Sequence, residues 1–197
     1  MGNFQGRKTV FIGGGRMGEA IFSGLLSSGS IKPENLTVMD VFEPRLKQLE
    51  ETYHMRAMVS TEENLRSVLS EVEVVVFSVT PQMADRVLSQ VAPMLEKGKH
   101  TVISIMGGVE LKFLEKYIPD VAVVRVMPNT PALVHEGAAG IALGTNASEE
   151  DGGIALDIFN SVGIAYLLPE SLIDPLTRTP AMVAPPGEQT LSFRTPG

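Results

Sequence analysis

The sequence has no cysteine, no tryptophan and only three tyrosines. Without cysteine there is no disulfide and no thiolate zinc site, so packing and hydrogen bonds must hold the fold, and the cytoplasm is the expected compartment. Positive charge is also scarce: 16 Lys and Arg face 23 Asp and Glu, for a formal net charge of -7. That balance argues against broad binding to nucleic acid or to an anionic membrane, while leaving room for a small local anion site. Long apolar runs are missing too. The longest, such as VVVFSV at Val74–Val79, fall far short of a membrane span, and Met1–Phe11 has no apolar stretch of signal-peptide length. No metal-ligand cluster, nucleophile elbow or nucleic-acid motif is present. The three histidines, His54, His100 and His135, are scattered; His54 and His100 fall in connecting segments and are expected to be solvated.

What is present is strongly patterned. Hydrophobic residues make up 44% of 197, enough for one good core and a small further unit. Lys8–Ile12 is an apolar run that stops on glycines and predicts a buried strand. The following segment places Ala20, Ile21, Phe22, Leu25 and Leu26 on one helical face, with Gly29 as a stop. Strands are predicted at Leu36–Val41, Ala57–Val59, Val74–Val79, Thr101–Ile105, Val121–Met127, Ala139–Gly144 and Ile164–Leu168, with amphipathic helices between most of them. The nearly uniform apolar character of Val74–Val79 suits a strand covered on both faces. Alternation from about residue 8 to 168 predicts an α/β, doubly wound, mostly parallel sheet with right-handed crossovers. After residue 168 the pattern stops: six of the 13 prolines lie at or beyond Pro169. Residues 1–168 therefore read as a dinucleotide-binding domain, and 169–197 as a linker remnant with an irregular tail.

Gly13, Gly15 and Gly18 spell G-x-G-x-x-G between a strand and a helix, with an acidic residue further on. In this pattern Gly13 permits the tight turn, Gly15 the approach of a pyrophosphate, and Gly18 close helix–strand packing. The helix N-terminus offers free N–H groups and a positive dipole end to phosphate, and Arg16 could add charge. Asp40, at the end of the second strand, is placed either to accept from an adenosine ribose or to cap the next helix. Arg45 and Lys47 nearby could instead favour a 2′-phosphate, so NAD and NADP both remain open as cofactors.

In doubly wound sheets ligands sit at the carboxyl ends of strands, which singles out Ser78–Gln82, Ser104–Gly108 and Arg125–Pro131. Pro81 forces Thr80 into an extended form, and Pro128 and Pro131 stiffen the loop around Asn129. The Asn129 amide suits a carboxamide or a small polar substrate, or else ties the loop to itself.

Taken together, FIGGGRMGEAIFSGLLSSG, SVTPQ, SIMGGV, RVMPNTPALVHEGA and IFNSVG resemble the pyrroline-5-carboxylate reductase family over about residues 8–177. The resemblance implies a Rossmann domain followed by a helical dimerisation domain that forms a homodimer or larger assembly. It implies hydride transfer from NADH or NADPH to the C=N carbon of a cyclic imino acid, giving L-proline. By position it assigns Ile12, Gly13, Gly14, Gly15, Arg16, Met17 and Gly18 to the pyrophosphate. Asp40 and Asn64 fall to the adenosine end, and Ser78, Val79, Thr80 and Pro81 to the cofactor wall. Ile105, Met106 and Gly107 approach the nicotinamide, and Asn129 and Thr130 the point of hydride delivery. No catalytic acid or base is assigned, and no metal is implied.

The chain departs from the family in two places. Thr80 stands where the family usually has lysine, which removes a positive charge beside the cofactor. After Thr177 the text no longer follows the family, so the helical domain is expected to be missing and the reductase activity weak or absent. The alternatives are a non-catalytic NAD(P)-binding module and an NADP-using reductase of a deazaflavin cofactor; MPNTP at Met127–Pro131 speaks against the latter. Loss of the helical domain would also leave apolar surface uncovered near residues 164–173.

Overall fold

The computed structural model describes residues 2–129 and 137–173. In chain order it comprises β1 (Thr9–Ile12), α1 (Arg16–Ser27), β2 (Leu36–Asp40), α2 (Glu43–Tyr53), β3 (Arg56–Val59), α3 (Glu62–Glu71) and β4 (Val74–Phe77). There follow α4 (Ala84–Val91), β5 (Thr101–Ser104), α5 (Leu111–Tyr117), β6 (Ala122–Pro128), β7 (Gly137–Leu143), α6 (Glu149–Asn160) and β8 (Gly163–Leu167). The strands form one eight-stranded sheet in the order β3-β2-β1-β4-β5-β6-β7-β8. The expected α/β sheet is therefore present, with its topological switch between β1 and β4.

The strands carry apolar side chains to both faces. On β1, Phe11 joins α1, α2 and α6 in one core cluster, whereas Val10 and Ile12 join α3, α4 and α5 in the other. Val74 and Val76 of β4 face the first cluster, and Val75 and Phe77 the second. A run buried on both sides has no reason to alternate, which explains the uniform apolar text at Val74–Val79. Phe11, Phe22 and Tyr53 stack edge to face in the first layer, with successive centroids 5.5 Å apart.

Two strands, β7 and β8, run against the direction of the other six. β7 pairs antiparallel with β6, and β8 then lies parallel to β7. The cause is the connection. Only residues 129–136 join β6 to β7, too few for the crossover of a dozen or more that a parallel pair requires. β2 also stops one residue earlier than expected, leaving Val41 exposed at its end.

His100 corrects the expectation of a solvated side chain: it is only 2% exposed. The Glu96 N–H donates to its Nδ1 at 2.8 Å, so the proton resides on Nε2, which donates to the Leu69 carbonyl at 2.9 Å. Burial pushes its pKa below the ordinary histidine value. His54 is exposed, as expected, and ends α2 in a left-handed conformation with φ of 54°; His135 lies outside the described residues.

The N-terminal segment is strapped to the far end of the domain. Phe4 is buried, its N–H donates to Asp157 Oδ2 of α6 at 3.0 Å, and Arg7 bridges Glu73 and Glu150. α6 starts with a reciprocal cap between Ser148 and Asp151. Burial alone would raise the pKa of Asp151, but bonds from Ser148 and Thr101 and the charge of Arg7 hold it below the usual carboxylate value.

Residues 169–173 continue the packed unit beyond β8 as a short 3₁₀ turn at Glu170–Leu172, with Ile173 fully buried. Residues 174–197, read as an irregular tail, lie outside the described residues. Ile164, Tyr166, Leu167 and Leu172 are exposed along the β8 edge. Among the described residues no helix is long and apolar enough to cross a membrane, and no cluster of His, Asp or Glu could hold a metal ion.

Candidate nucleotide site

The glycine loop joins β1 to α1 at the carboxyl edge of the sheet. Gly13 has φ of +112°, and a Cβ there would fall 2.6 Å from the Ser78 carbonyl oxygen. Gly18, inside α1, is nearly as crowded: its Cβ would lie 3.0 Å from the Gly13 carbonyl and from Ser78 Oγ. Gly15 differs. The nearest atom to a Cβ there is the Ser78 carbonyl at 4.0 Å, so the space beside it is open. Gly13 and Gly18 thus serve the packing of strand, loop and helix, while Gly15 leaves a cradle that a side chain would narrow. As the N-cap of α1, Gly15 has no side chain to bond the helix's first N–H groups.

The loop is gripped from both neighbouring strands. Ser78, just beyond β4, donates its hydroxyl to the Gly13 carbonyl at 2.8 Å. On the other side Gly14 N–H donates to Asp40 Oδ2 at 2.7 Å, and Arg45 Nε donates to the Gly14 carbonyl at 2.8 Å. The Gly14 peptide is therefore held at both polar ends. The second Asp40 oxygen accepts from Phe42 N–H at 3.0 Å, whereas α2 takes Phe42 as its N-cap without a side-chain cap. Asp40 accordingly does not cap α2; it closes a local turn and pins the glycine loop.

Arg45 also bonds Gln48 and pairs with Glu19 of α1, which accepts from Tyr53 Oη at 3.0 Å. Burial first, then the bond and charge of Glu19, raise the Tyr53 pKa above the ordinary phenol value. Arg16 projects from the loop and is exposed; among the described residues it makes no ion pair. These groups line a cleft of about 470 Å³ formed by Gly14, Gly15, Arg16, Glu19, Asp40, Phe42, Pro44, Arg45 and Gln48. Lys47 does not line it.

The other predicted residues are distributed as follows. Asn64 sits in the first turn of α3, beyond β3, whose Val59 pairs with Asp40; its amide donates to the Val59 carbonyl at 2.9 Å, and its backbone N–H to the Thr61 hydroxyl at 3.2 Å. Ile12 and Met106 are buried, Ile105 is 8% exposed, and Met17 is partly buried against the first cluster; none of the four lines the cleft. Val79 packs on the second cluster, and Thr80 is exposed in the extended conformation required by Pro81, with ψ of 151°. Gly107 lies against the Met127 thioether, a Cβ there falling 3.6 Å from the methyl carbon, which joins the loop after β5 to the end of β6. Asn129 ties its loop to β7: Oδ1 accepts from Ala138 N–H at 2.9 Å while Asn129 N–H donates to the Ala138 carbonyl at 3.0 Å. Thr130 lies outside the described residues.

Sequence reasoning missed the roles of Glu19, Tyr53, Arg125 and Glu170. Arg125 of β6 is 1% exposed and pairs with Glu170 at 3.0 Å. A cation inside a predicted buried strand was the available signal, because such a group demands an anionic or polar partner.

Topology and glycine loop together define an α/β domain of the Rossmann type, the class of fold that binds dinucleotides. The chain belongs to the family described as NADP oxidoreductase coenzyme F420-dependent, whose model matches residues 8–108. That match stops before the Met127–Pro131 segment. Over more of its length the chain is similar to pyrroline-5-carboxylate reductases. It is 41% identical to the one from Methanosarcina acetivorans, covering 88% of this chain and 63% of the relative. It is 34% identical to the one from Arabidopsis thaliana, covering 86% and 60%. The structure of the Plasmodium falciparum pyrroline carboxylate reductase with NADP bound superposes with a TM-score of 0.71 at 32% identity, over 85% of this chain and 59% of that one. The Coxiella burnetii pyrroline-5-carboxylate reductase gives a TM-score of 0.76 at 28% identity, over 82% and 58%. The chain thus spans roughly 60% of the length of the relatives it matches.

Proposed function

We propose that this chain is the nucleotide-binding part of a pyrroline-5-carboxylate reductase, using NADPH or NADH to reduce 1-pyrroline-5-carboxylate to L-proline. The observation that carries this reading is the glycine cradle: open at Gly15, closed at Gly13 and Gly18, and clamped at Gly14. A loop already held in shape at a helix N-terminus suits a pyrophosphate, because little ordering remains to oppose binding.

When bound, the reduced nicotinamide supplies the hydride. The residues of this chain orient it. Backbone N–H groups around Gly15 and Arg16 take the pyrophosphate, with the Arg16 guanidinium adding charge. Asp40, Arg45 and Asn64 stand on the adenosine side of β1. Ser78–Pro81 follow β4 across the switch point from the cleft, and Ile105–Gly107 with Asn129 stand further along the same side, where the nicotinamide half would lie. One hydride to the imine carbon and one proton to the nitrogen complete the reduction. The carbons must meet at about 3–3.5 Å away from water. The substrate in this reading is a cyclic imino acid. A domain division near residue 168, and assembly through a helical domain such as the family resemblance implies, belong to the same reading. A non-catalytic NAD(P)-binding module is the second reading; the glycine cradle and its clamps would serve binding alone.

The test is a fluorescence titration of the purified chain with NADPH and NADH, followed by addition of 1-pyrroline-5-carboxylate with proline as the assayed product. Binding with proline formation supports the reductase, and binding without turnover supports the module. No binding of either dinucleotide overturns both.

A further inference from the structure

The strand-end loops on the nicotinamide side of β1 share one fastening point. Glu170 Oε1 accepts from the Leu111 N–H at 2.7 Å and from Arg125 Nη1 at 3.0 Å. Leu111 opens α5 immediately after the Ile105–Glu110 loop. Arg125 lies two residues before Met127, whose thioether rests against Gly107, and four before Asn129. Glu170 belongs to neither loop. It comes from the turn after β8, where Ile173 anchors the segment by packing into the second core cluster. One carboxylate oxygen therefore binds the start of α5, the middle of β6 and the segment leaving β8.

We infer that Glu170, acting with Arg125, is a positioning residue for the nicotinamide half of the cofactor site. The inference rests on the dinucleotide reading above. The Arg125 side chain is 2% exposed and that of Glu170 30% exposed, so the pair meets where water screens weakly and its geometry is firmly set. Loss of the carboxylate frees the α5 start from β6, and the 105–110 loop and the chain at 127–129, where β6 ends, lose their common register. The adenosine side, built from β2, α2 and the glycine loop, has no bond to this group and keeps its shape.

The experiment compares Glu170→Ala and Glu170→Gln with the unaltered chain, titrating NADPH against 2′,5′-ADP and NADH against ADP. Only the whole dinucleotides reach the nicotinamide side. The expected result for Glu170→Ala is a loss of about tenfold in dinucleotide affinity, with the adenosine fragments held within about twofold. Glu170→Gln keeps an acceptor for Leu111 and loses less, and this graded loss carries the test if the alanine variant fails to fold. Amide exchange gives a second readout: the Val109 and Leu111 amides exchange faster in the variants, while Gly14 is unchanged. Equal losses for dinucleotide and fragment, or no loss for either, overturn the inference. Failure of the unaltered chain to bind any of the four ligands overturns the dinucleotide reading itself.

Discussion

Gly13 and Gly15 are two residues apart and look equivalent in the sequence, yet they answer to different physics. A methyl group at Gly13 meets backbone and requires a left-handed conformation, so Gly13→Ala is expected to destabilise the fold by about 2 kcal/mol or more. A methyl group at Gly15 meets nothing within ordinary contact, so Gly15→Ala is expected to leave the melting temperature unchanged. It should nonetheless weaken NADPH binding about tenfold by filling the cradle. Thermal melts paired with dinucleotide titrations check both, and a Gly15→Ala variant that melts early but binds normally would contradict the assignment. The spacing of the three glycines was legible in the sequence because it is local. The grip of Asp40 and Arg45 on Gly14 was not: it spans 26 and 31 positions and leaves no periodic trace. The helix-cap reading of Asp40 treated it as a local group, whereas one of its oxygens holds the loop of another strand.

At the scale of elements, helices and strands were readable wherever burial is one-sided or continuous. Even the reversal of β7 was implicit in the short connection that precedes it. His100 was hidden because its neighbours Lys99 and Thr101 are polar, so nothing local marks the position as interior. Its pH dependence follows from the direction of its shift. Burial depresses the folded-state pKa below the unfolded value of about 6.5, so the unfolded chain binds the extra proton first. The stability His100 contributes is complete above about pH 6.5 and is lost as pH falls through the lower folded value. Protonation also costs Nδ1 its role as acceptor for Glu96, loosening the joint between α3, the turn at Ala92–Met94 and β5. Melting temperature measured from about pH 7.5 to about pH 5.5 should therefore fall in the unaltered chain. In His100→Gln it should start lower and fall less over the same window. An equally steep fall in both would place the acid sensitivity elsewhere.

For the molecule as a whole, the sheet has two edges of different character. Along β8, Ile164, Tyr166, Leu167 and Leu172 are exposed together, and a clustered apolar edge invites association. The chain is expected to grow in mean mass with concentration by light scattering. A double Ile164→Lys, Leu167→Lys variant should hold a constant mass without losing dinucleotide affinity, since both positions lie far along the sheet from the glycine loop. A mass that rises identically in the variant would remove β8 as the cause. This uncovered edge was foreseen from the apolar text at residues 164–173, with Ala165 and Ile173 the exceptions because they turn inward.

The strap between Phe4 and Asp157 sets the timing of self-assembly. It joins positions 153 apart, and the first core cluster stays open until Ile154, Ile158 and Phe159 close over the residues of α1. Contacts so distant along the chain must form against the entropy of a very large loop, which slows folding and places the closure late. On the ribosome, most of the sheet can gather while β1 still lacks part of its cover. The domain locks only when α6 emerges to meet the first few residues.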